Sequence, residues 1–482
     1  MTDNRTGKFY LRKLFTGSLA MTLAEASMKI VKLLVLPILT FYLTPKDFGI
    51  IASIKMVEGF LIMIYNPGMI SGVSRKYFDT ESEKERRTYI GSALLFFLII
   101  SIIITSTLLL LGNSFFKNVF NEFELYPYGI VAIIVAMMIQ PKRLWSSLMT
   151  FRFQVPKVAL FSFLQMMIDI GVSLFLVAVL FLGVKGRVIG LISSIVFITI
   201  VALYFLLKYI KGHFSLKVAW KLFLFGLPLA PAIWAYSALD IADRFLIGHF
   251  VGLEKLGIYS IGYTISSMPL FLSLGLRKMW SPIFYENMNN KKYDRINILI
   301  KYFILGIAFV SGSLIIFSNE LITIVLAKDF KDAATIIPWV CSGVFFLGIL
   351  PITSSFIAFE KRFKKISINA GISAIVNIII NIYLLPRIGI VGSAVATMIA
   401  YITYFILNIY TSKKIFFEVV SIKHIIIPMI FVILSVLIYY LTEVSWFYFF
   451  LKIIVIIVFV LILYLTKFFT PTEIKALKGM VK

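Results

Sequence analysis

Charge is scarce in this sequence: only 15% of its 482 residues are Asp, Glu, Lys or Arg, where soluble domains carry roughly a quarter. That shortage excludes a soluble globular chain, which must keep a polar exterior around its core. Cysteine is almost missing, and the single thiol, Cys341, rules out an intramolecular disulfide. The three histidines, His213, His249 and His424, lie far apart and offer no metal-ligand spacing. No Walker-type phosphate loop is present, so the chain does not use ATP directly. Nor is there a constellation of acid, base and nucleophile, so no catalytic residue, metal or cofactor is expected and the chain reads as a non-enzyme. A membrane polymerase or acyltransferase would need a sizeable polar outer loop. The longest outer loops here, near Gly112–Leu125 and Asn319–Asp332, are short and hold no histidine. A pore signature of the kind a channel needs is also missing.

What remains is hydrophobic. Sixty per cent of the residues are apolar and the mean hydropathy is +0.97. A bilayer core needs about 20 mostly apolar residues per helix, and fourteen such stretches can be drawn. They are Leu14–Leu43, Phe48–Ser71, Tyr89–Gly112, Tyr126–Met149, Val158–Gly183, Val188–Leu207, Leu222–Ile247, Leu256–Leu276, Tyr302–Asn319, Ala333–Ala358, Ile366–Leu385, Ile388–Ile409, Ile425–Leu441 and Trp446–Thr466. The first apolar stretch is too long for a signal peptide and lacks a small-residue cleavage site, so it reads as a retained span.

The net charge of +24 sits in short clusters between apolar runs, not in a soluble patch, so nucleic acid is not an expected partner. Of the 47 basic residues, 34 fall on one side of the fourteen spans, with Lys142 and Arg143 near the end of span 4 counted with the loop that follows it, eight on the other and five within spans. This bias places both termini in the cytoplasm. One miscounted span would invert every later loop and destroy the alternation, which instead holds from end to end.

The sequence also echoes itself. Shifted by 208 residues, Lys13–Ile50 aligns with Lys221–Ile258 without a gap, with identities at Lys13, Leu14, Phe15, Leu19, Ala24, Gly49 and Ile50. Arg152-Phe153 after span 4 returns as Arg362-Phe363 after span 10, and Gly186–Gly190 opening span 6 is echoed by Gly389–Gly392 opening span 12. Spans 1–6 therefore read as duplicated in spans 7–12. Because six is even, the copies insert with the same orientation, related by an axis along the membrane normal. The expected architecture is an all-α integral membrane protein with about 14 transmembrane helices: two parallel-repeat six-helix bundles, residues 1–210 and 211–411, then two C-terminal helices and a tail in 412–482. A substrate belongs at the interface between the halves.

Ionisable residues in mid-bilayer are costly and point to function. Span 1 carries Glu25, Lys29 and Lys32 within about 60° of one another around the helix. Span 2 adds Lys55 and Glu58, span 5 Asp169, and span 7 Asp240, Asp243 and Arg244 within an arc of about 100°. Glu25, Lys29, Lys32, Lys55, Glu58 and Arg244 are candidates to line a hydrated cavity and bind substrate. Asp169, Asp240 and Asp243 are candidates for coupling to an ion, H+ or Na+. Lys32 and Asp240 are equivalent under the 208-residue shift. They are expected to face each other and attract until an anionic substrate competes for the lysine. The i,i+4 pairs Glu25–Lys29 and Asp240–Arg244 equally suit local neutralisation. The lysine and arginine content hints at a phosphorylated cargo.

Asn369, Asn377 and Asn381 suit hydrogen bonding between helices better than substrate contact. Pro37, Pro228, Pro231 and Pro269 are expected to bend their spans. Ser74–Thr88 and Ser281–Asn297 are polar and basic, and are expected to lie on the cytoplasmic surface as amphipathic helices touching anionic membrane lipid.

Three short motifs carry a family likeness: Leu43-Thr-Pro-Lys-Asp-Phe-Gly49-Ile after span 1; Asp240-Ile-Ala-Asp-Arg-Phe-Leu-Ile-Gly248 with Gly257-Ile-Tyr259; and Gly389-Ile-Val-Gly392-Ser-Ala opening span 12. With twelve spans in two bundles and an added pair, the chain resembles the polysaccharide transporters and oligosaccharide flippases of the multidrug/oligosaccharidyl-lipid/polysaccharide exporter superfamily. The resemblance implies a multi-pass protein of the bacterial cytoplasmic membrane that works by alternating access. Its cargo would be an undecaprenyl-pyrophosphate-linked oligosaccharide, with the pyrophosphate in the cationic cavity and the prenyl tail left in lipid. A polysaccharide polymerase and glycosyltransferases of the same pathway are the implied partners. A cation-coupled multidrug antiporter of the same superfamily is the alternative; the added helix pair and the span 1 lysines weigh against it.

Overall fold

In the computed structural model, residues 27–466 and 468–469 are described, and among them every regular element is helical. Helix α1 covers 27–42, and α2 (Pro45–Tyr65) comes after two residues. Thr44 and Asp47 form a reciprocal capping box at the start of α2, with Pro45 in the first turn. Such a box satisfies two backbone donors that the helix itself leaves open. Next come α3 (Met69–Asp79), α4 (Glu83–Phe120), α5 (Ile130–Phe151), α6 (Val155–Leu174) and α7 (Gly183–Ile210). Then come α8 (Leu216–Gly226), α9 (Ala230–Phe250), α10 (Leu253–Ser266), α11 (Leu270–Asn289), α12 (Tyr293–Ile316), α13 (Ser318–Val325) and α14 (Ala333–Phe359). The chain continues through α15 (Phe363–Ile388), α16 (Ile390–Thr411), α17 (Lys413–Val419), α18 (Lys423–Leu441) and α19 (Trp446–Leu465).

Eleven of these helices, counted with their π-helical extensions, are long and apolar enough to cross a membrane, and a twelfth span arises if the pair bent by 59° around Leu229–Ile233 is one crossing. The other two expected spans are the first, described only over 27–42, and the eighth, which is divided between α10 and α11. Large apolar side chains face outward along these helices: Leu110, Phe41 and Trp446 are each more than three-quarters exposed. Polar and charged side chains such as Ser92, Asp243, Asn381 and Lys452 lie inside. That inversion of the soluble pattern is what lipid as solvent demands, and the chain is a multi-pass membrane protein.

Helix ends depart from the hydropathy reading in three places. Helix α4 is kinked at Gly112, where span 3 ends by hydropathy, and a further helical stretch runs on to Phe120; Gly112 has φ +67 and ψ -165, backbone angles that glycine adopts without strain. Ser74–Thr88 is the end of α3 and the first turns of α4, while Ser281–Asn297 is the end of α11 and the start of α12. The first segment thus includes part of a short helix between spans 2 and 3, with Val73 and Tyr77 buried on one side and Arg75 exposed, whereas the second continues the helices that flank it. The Asn319–Asp332 loop contains α13 and a short 3-10 turn.

Packing groups the chain into two compact units, Met1–Ile261 with Lys364–Ala400, and Gly262–Phe363 with Tyr401–Lys482. The first has a core around Trp145, Leu144, Leu148, Ile198, Ala202 and Leu206. In the second, α14 is buried along most of its length, and Phe431 stacks on Phe459 at 3.8 Å, joining α18 to α19. These units cut across the two sequence halves: α9 packs against α2 and α4, and α15 is tied to α9 by the Asn381–Asp243 hydrogen bond.

Candidate functional site

Three adjoining chambers lie within the first unit. The first, about 320 Å³, is enclosed by α1, α2, α5, α6 and α7 and lined by Lys32, Lys55, Glu58, Lys142, Gln165, Asp169 and Ser194 among others. The second, about 610 Å³, lies between α2, α5 and the start of α9, with Asn66, Ser71, Lys142, Arg143, Ser146, Ser147 and Ser237 on its wall. The third, about 430 Å³, is apolar, bounded by Phe60, Ile64, Phe116, Phe120, Ala242 and Phe245 from α2, α4 and α9. Lys142 is shared by the first two chambers, and Met63 and Ile241 by the second and third. The Trp234 indole N–H donates to the Met63 carbonyl at 3.1 Å, tying α9 to α2 beside the shared wall.

The charges in the first chamber are unevenly matched. Lys55 and Glu58, three apart on α2, form an ion pair at 2.9 Å. Asp169 on α6 is held by the Arg187 guanidinium of α7, with N–O distances of 2.5 and 3.3 Å, and Arg187 also donates to the Ser173 hydroxyl at 2.8 Å. Both carboxylates are therefore neutralised by their own partners. Lys32 stands in no ion pair among the described residues, and the Lys142 ammonium donates to the neutral Gln165 amide oxygen at 2.5 Å. Arg143, exposed in the second chamber, also has no carboxylate within ion-pair distance among the described residues. Net positive charge with hydroxyl and amide donors around it is suited to a phosphate or pyrophosphate.

Local sequence explains the placement of Lys142 and Arg143. Pro141 sits inside α5 and cannot donate to the helical ladder. The Gln140 amide bonds the Ala136 carbonyl at 3.1 Å at this break. The two cations lie about nine residues before the helix ends at Phe151, about 14 Å along the axis. Hydropathy assigned them to the basic cytoplasmic side, so the sequence reading missed them. A proline followed by two cations within a span was the available signal.

A separate polar cluster surrounds Asp243 on α9, which is 2% exposed. It accepts hydrogen bonds from the Tyr259 hydroxyl of α10 at 2.9 Å, from the Asn381 amide of α15 at 3.1 Å, and from the Thr397 hydroxyl of α16. The buried side-chain oxygens of Asn377, Asn381 and Ser393 nearby have no hydrogen-bond partner among the described residues. Asn381 thus bonds between helices, as its position suggested. A carboxylate amid orphaned oxygens can take a proton or a small hard cation, which prefers oxygen ligands.

Lys32, Lys55, Glu58 and Asp169 are thus brought together. Lys29 lies one turn before Lys32 on α1, and Arg244 follows Asp243 on α9; neither lines the three chambers. Glu25 and the side chain of Asp240 lie outside the described residues, which leaves the Lys32–Asp240 pairing without a geometry.

Comparison with solved structures places this architecture. A lipid II flippase MurJ in an inward closed conformation matches with a TM-score of 0.73 and 18% identity over 94% of this chain and all of that one. An inward-facing multidrug resistance MATE family transporter of the MOP superfamily matches at 0.61, with 13% identity over 83% of this chain and 98% of that one. A MOP superfamily transporter from Pyrococcus furiosus, described by a reversed polarity of its binding pocket, matches at 0.59 and 15% over 84% and 95%. These likenesses establish a shared fold. No curated protein matches by sequence. The family model described as "Polysaccharide biosynthesis protein" matches residues 38–335, well over half of the chain. The chain belongs to that polysaccharide biosynthesis protein family.

Proposed function

We propose that this chain is a flippase that moves a polyprenyl-pyrophosphate-linked oligosaccharide across the bacterial cytoplasmic membrane by alternating access, for surface polysaccharide biosynthesis. One observation carries the reading: a cationic, hydroxyl-lined chamber whose lysine and arginine lack acidic partners among the described residues adjoins an apolar one across Met63 and Ile241. A cargo with an anionic head joined to a hydrocarbon chain matches both, since unpaired cations gain most from a phosphorylated ligand and an apolar wall gains from burying a hydrocarbon. The family match and the likeness to a structure named as a lipid II flippase support the same class of cargo. The basic loops favour cytoplasmic termini. A polymerase and glycosyltransferases of the same pathway would supply and consume the cargo. In cells, deletion of the gene should leave lipid-linked oligosaccharide accumulating in the inner leaflet, and a plasmid copy should clear it. Normal surface polysaccharide without accumulation would reject the reading.

A cation-coupled multidrug antiporter is the second reading, favoured by the fold likeness to a multidrug transporter and by the Asp243 cluster. Against it, Lys32, Lys142 and Arg143 would repel a cationic drug. In the flippase reading Asp243 serves coupling, binding H+ or Na+ while the chambers hold cargo. Asp243→Asn keeps the size and hydrogen bonding of the side chain and removes its charge. Vesicles carrying it should lose the response of transport to imposed sodium or pH gradients yet keep exchange of cargo without a gradient. A full gradient response in Asp243→Asn would remove Asp243 from coupling.

A further inference from the structure

The first turns of α2 and α10 meet backbone to backbone. A Cβ added at Gly49 would overlap the Leu253 carbonyl, at 2.6 Å from its carbon; one added at Gly257 would overlap the Pro45 carbonyl, at 2.9 Å from its carbon, and lie 2.7 Å from the Gly49 nitrogen. Side-chain carbons essentially never come so near, so only glycine permits this approach at either position. The contact is also reciprocal. Leu253 is Pro45 shifted by 208 and Gly257 is Gly49 shifted by 208, the offset of the sequence echo. Residue i of one copy touches residue j of the other, and j touches i, as at a two-fold interface. Equivalent positions therefore meet on the pseudo-two-fold axis, the place where two like-oriented halves can close symmetrically.

We infer that this glycine–carbonyl contact is the closure that seals the chambers from the face carrying the α1–α2 and α9–α10 connections. Gly49 lies ten residues before Gly59, the nearest α2 residue lining the cationic chamber, about 15 Å along the helix. The chamber wall continues from there to Ser71, toward the opposite face. The closest approach is made by main-chain atoms of two first turns, so parting them moves two short rigid pieces of backbone. The start of α10 is held in place from outside the contact: Glu122, between α4 and α5, accepts from the Leu253 N–H at 3.2 Å. A carboxylate at a helix N-terminus is favourable there by charge as well. The inference rests on the alternating-access part of the proposed function and not on the identity of the cargo.

The test uses thiol accessibility, which reads the closure whatever is transported. Cys341 is buried and is replaced by Ser; Ser147→Cys then places a reporter in the cationic chamber. Vesicles of both orientations are treated with a membrane-impermeant maleimide. In the parent chain, labelling is expected from the face opposite Lys46. Gly257→Ala and Gly49→Ala are each expected to raise labelling from the Lys46 face about tenfold by shifting the open population. The two together should exceed either alone by little, because both break one contact. Glu122→Gln, which inserts no atom into the contact, should raise it about threefold through the weakened hydrogen bond. Gly371→Ala is the control, since a Cβ there meets nothing within 4 Å. Unchanged labelling from the Lys46 face in all three test variants, or an equal rise in Gly371→Ala, overturns the inference. Should the glycine variants fail to fold, Glu122→Gln decides by itself. Normal gating with no movement of lipid-linked oligosaccharide would reject the cargo and leave the closure standing.

Discussion

Replacing Lys142 and Arg143 together by Ala should lower transport of a pyrophosphate-linked lipid about 100-fold or more at unchanged protein level, because each removes a charge-assisted contact of about 1.5–3 kcal/mol. Neither cation has an acidic partner, among the described residues, whose loss would destabilise the fold, so the change should appear in transport and not in thermal stability. The conservative exchanges separate the roles. Lys142→Arg should retain most activity, whereas Arg143→Lys should lose part of it, as an ammonium cannot reproduce a two-pronged grip on phosphate. Initial rates in proteoliposomes measure all of these variants. Full activity in the double Ala variant would show that the second chamber does not hold the anionic group. Retained or increased uptake of cationic dyes in that variant would favour the antiporter reading.

The second large effect concerns stability. Lys452 on α19 is completely buried and pairs with Glu320 of α13 at 2.7 Å, while the other Glu320 oxygen has no partner among the described residues. Lys452→Met should destabilise the second unit by about 3–5 kcal/mol, since it strands a buried carboxylate. Adding Glu320→Gln should restore most of that loss, because an apolar or neutral pair can replace a buried ion pair at little cost. Thermal unfolding in detergent, run as a double-mutant cycle, measures the coupling. Additive losses would mean that the pair contributes nothing as a pair. This ion pair fixes the last helix to the body of the second unit, and Lys301 of α12 anchors the chain just beyond α19 by donating to the Phe468 carbonyl at 3.0 Å.

Much of the fold was legible because lipid imposes one rule on the whole chain. Runs such as Trp446–Thr466 and Val188–Leu207 can only be spans, and α19 and α7 lie where hydropathy put them. Hydropathy carries no information about direction, but the prolines do: the bend around Leu229–Ile233 falls at Pro228 and Pro231, and the division of the eighth span between α10 and α11 falls at Pro269. Span 3 ends by hydropathy at Gly112, and the α4 backbone does leave helical geometry there before a further helical stretch to Phe120. Lys32, Lys55, Glu58 and Asp169 stood out because a charge inside an apolar run has few places to go, and one chamber gathers all four. Arg187 was read as a loop charge, yet it reaches from α7 to neutralise Asp169 on α6. Lys142 and Arg143 were hidden by the rule that fixes orientation, which absorbs any cation near a span end. The partners of Asp243 come from α10, α15 and α16, up to 154 residues away, a grouping that only tertiary packing creates.

The purified chain is expected to move a lipid-linked oligosaccharide between leaflets. Reconstituted in vesicles loaded with a polyprenyl-pyrophosphate oligosaccharide, it should expose the glycan of inner-leaflet lipid to an externally added glycosidase. The rate should exceed that of empty vesicles and fall in the Lys142→Ala/Arg143→Ala chain. Vesicles that export a cationic dye but leave the inner-leaflet glycan protected would contradict it.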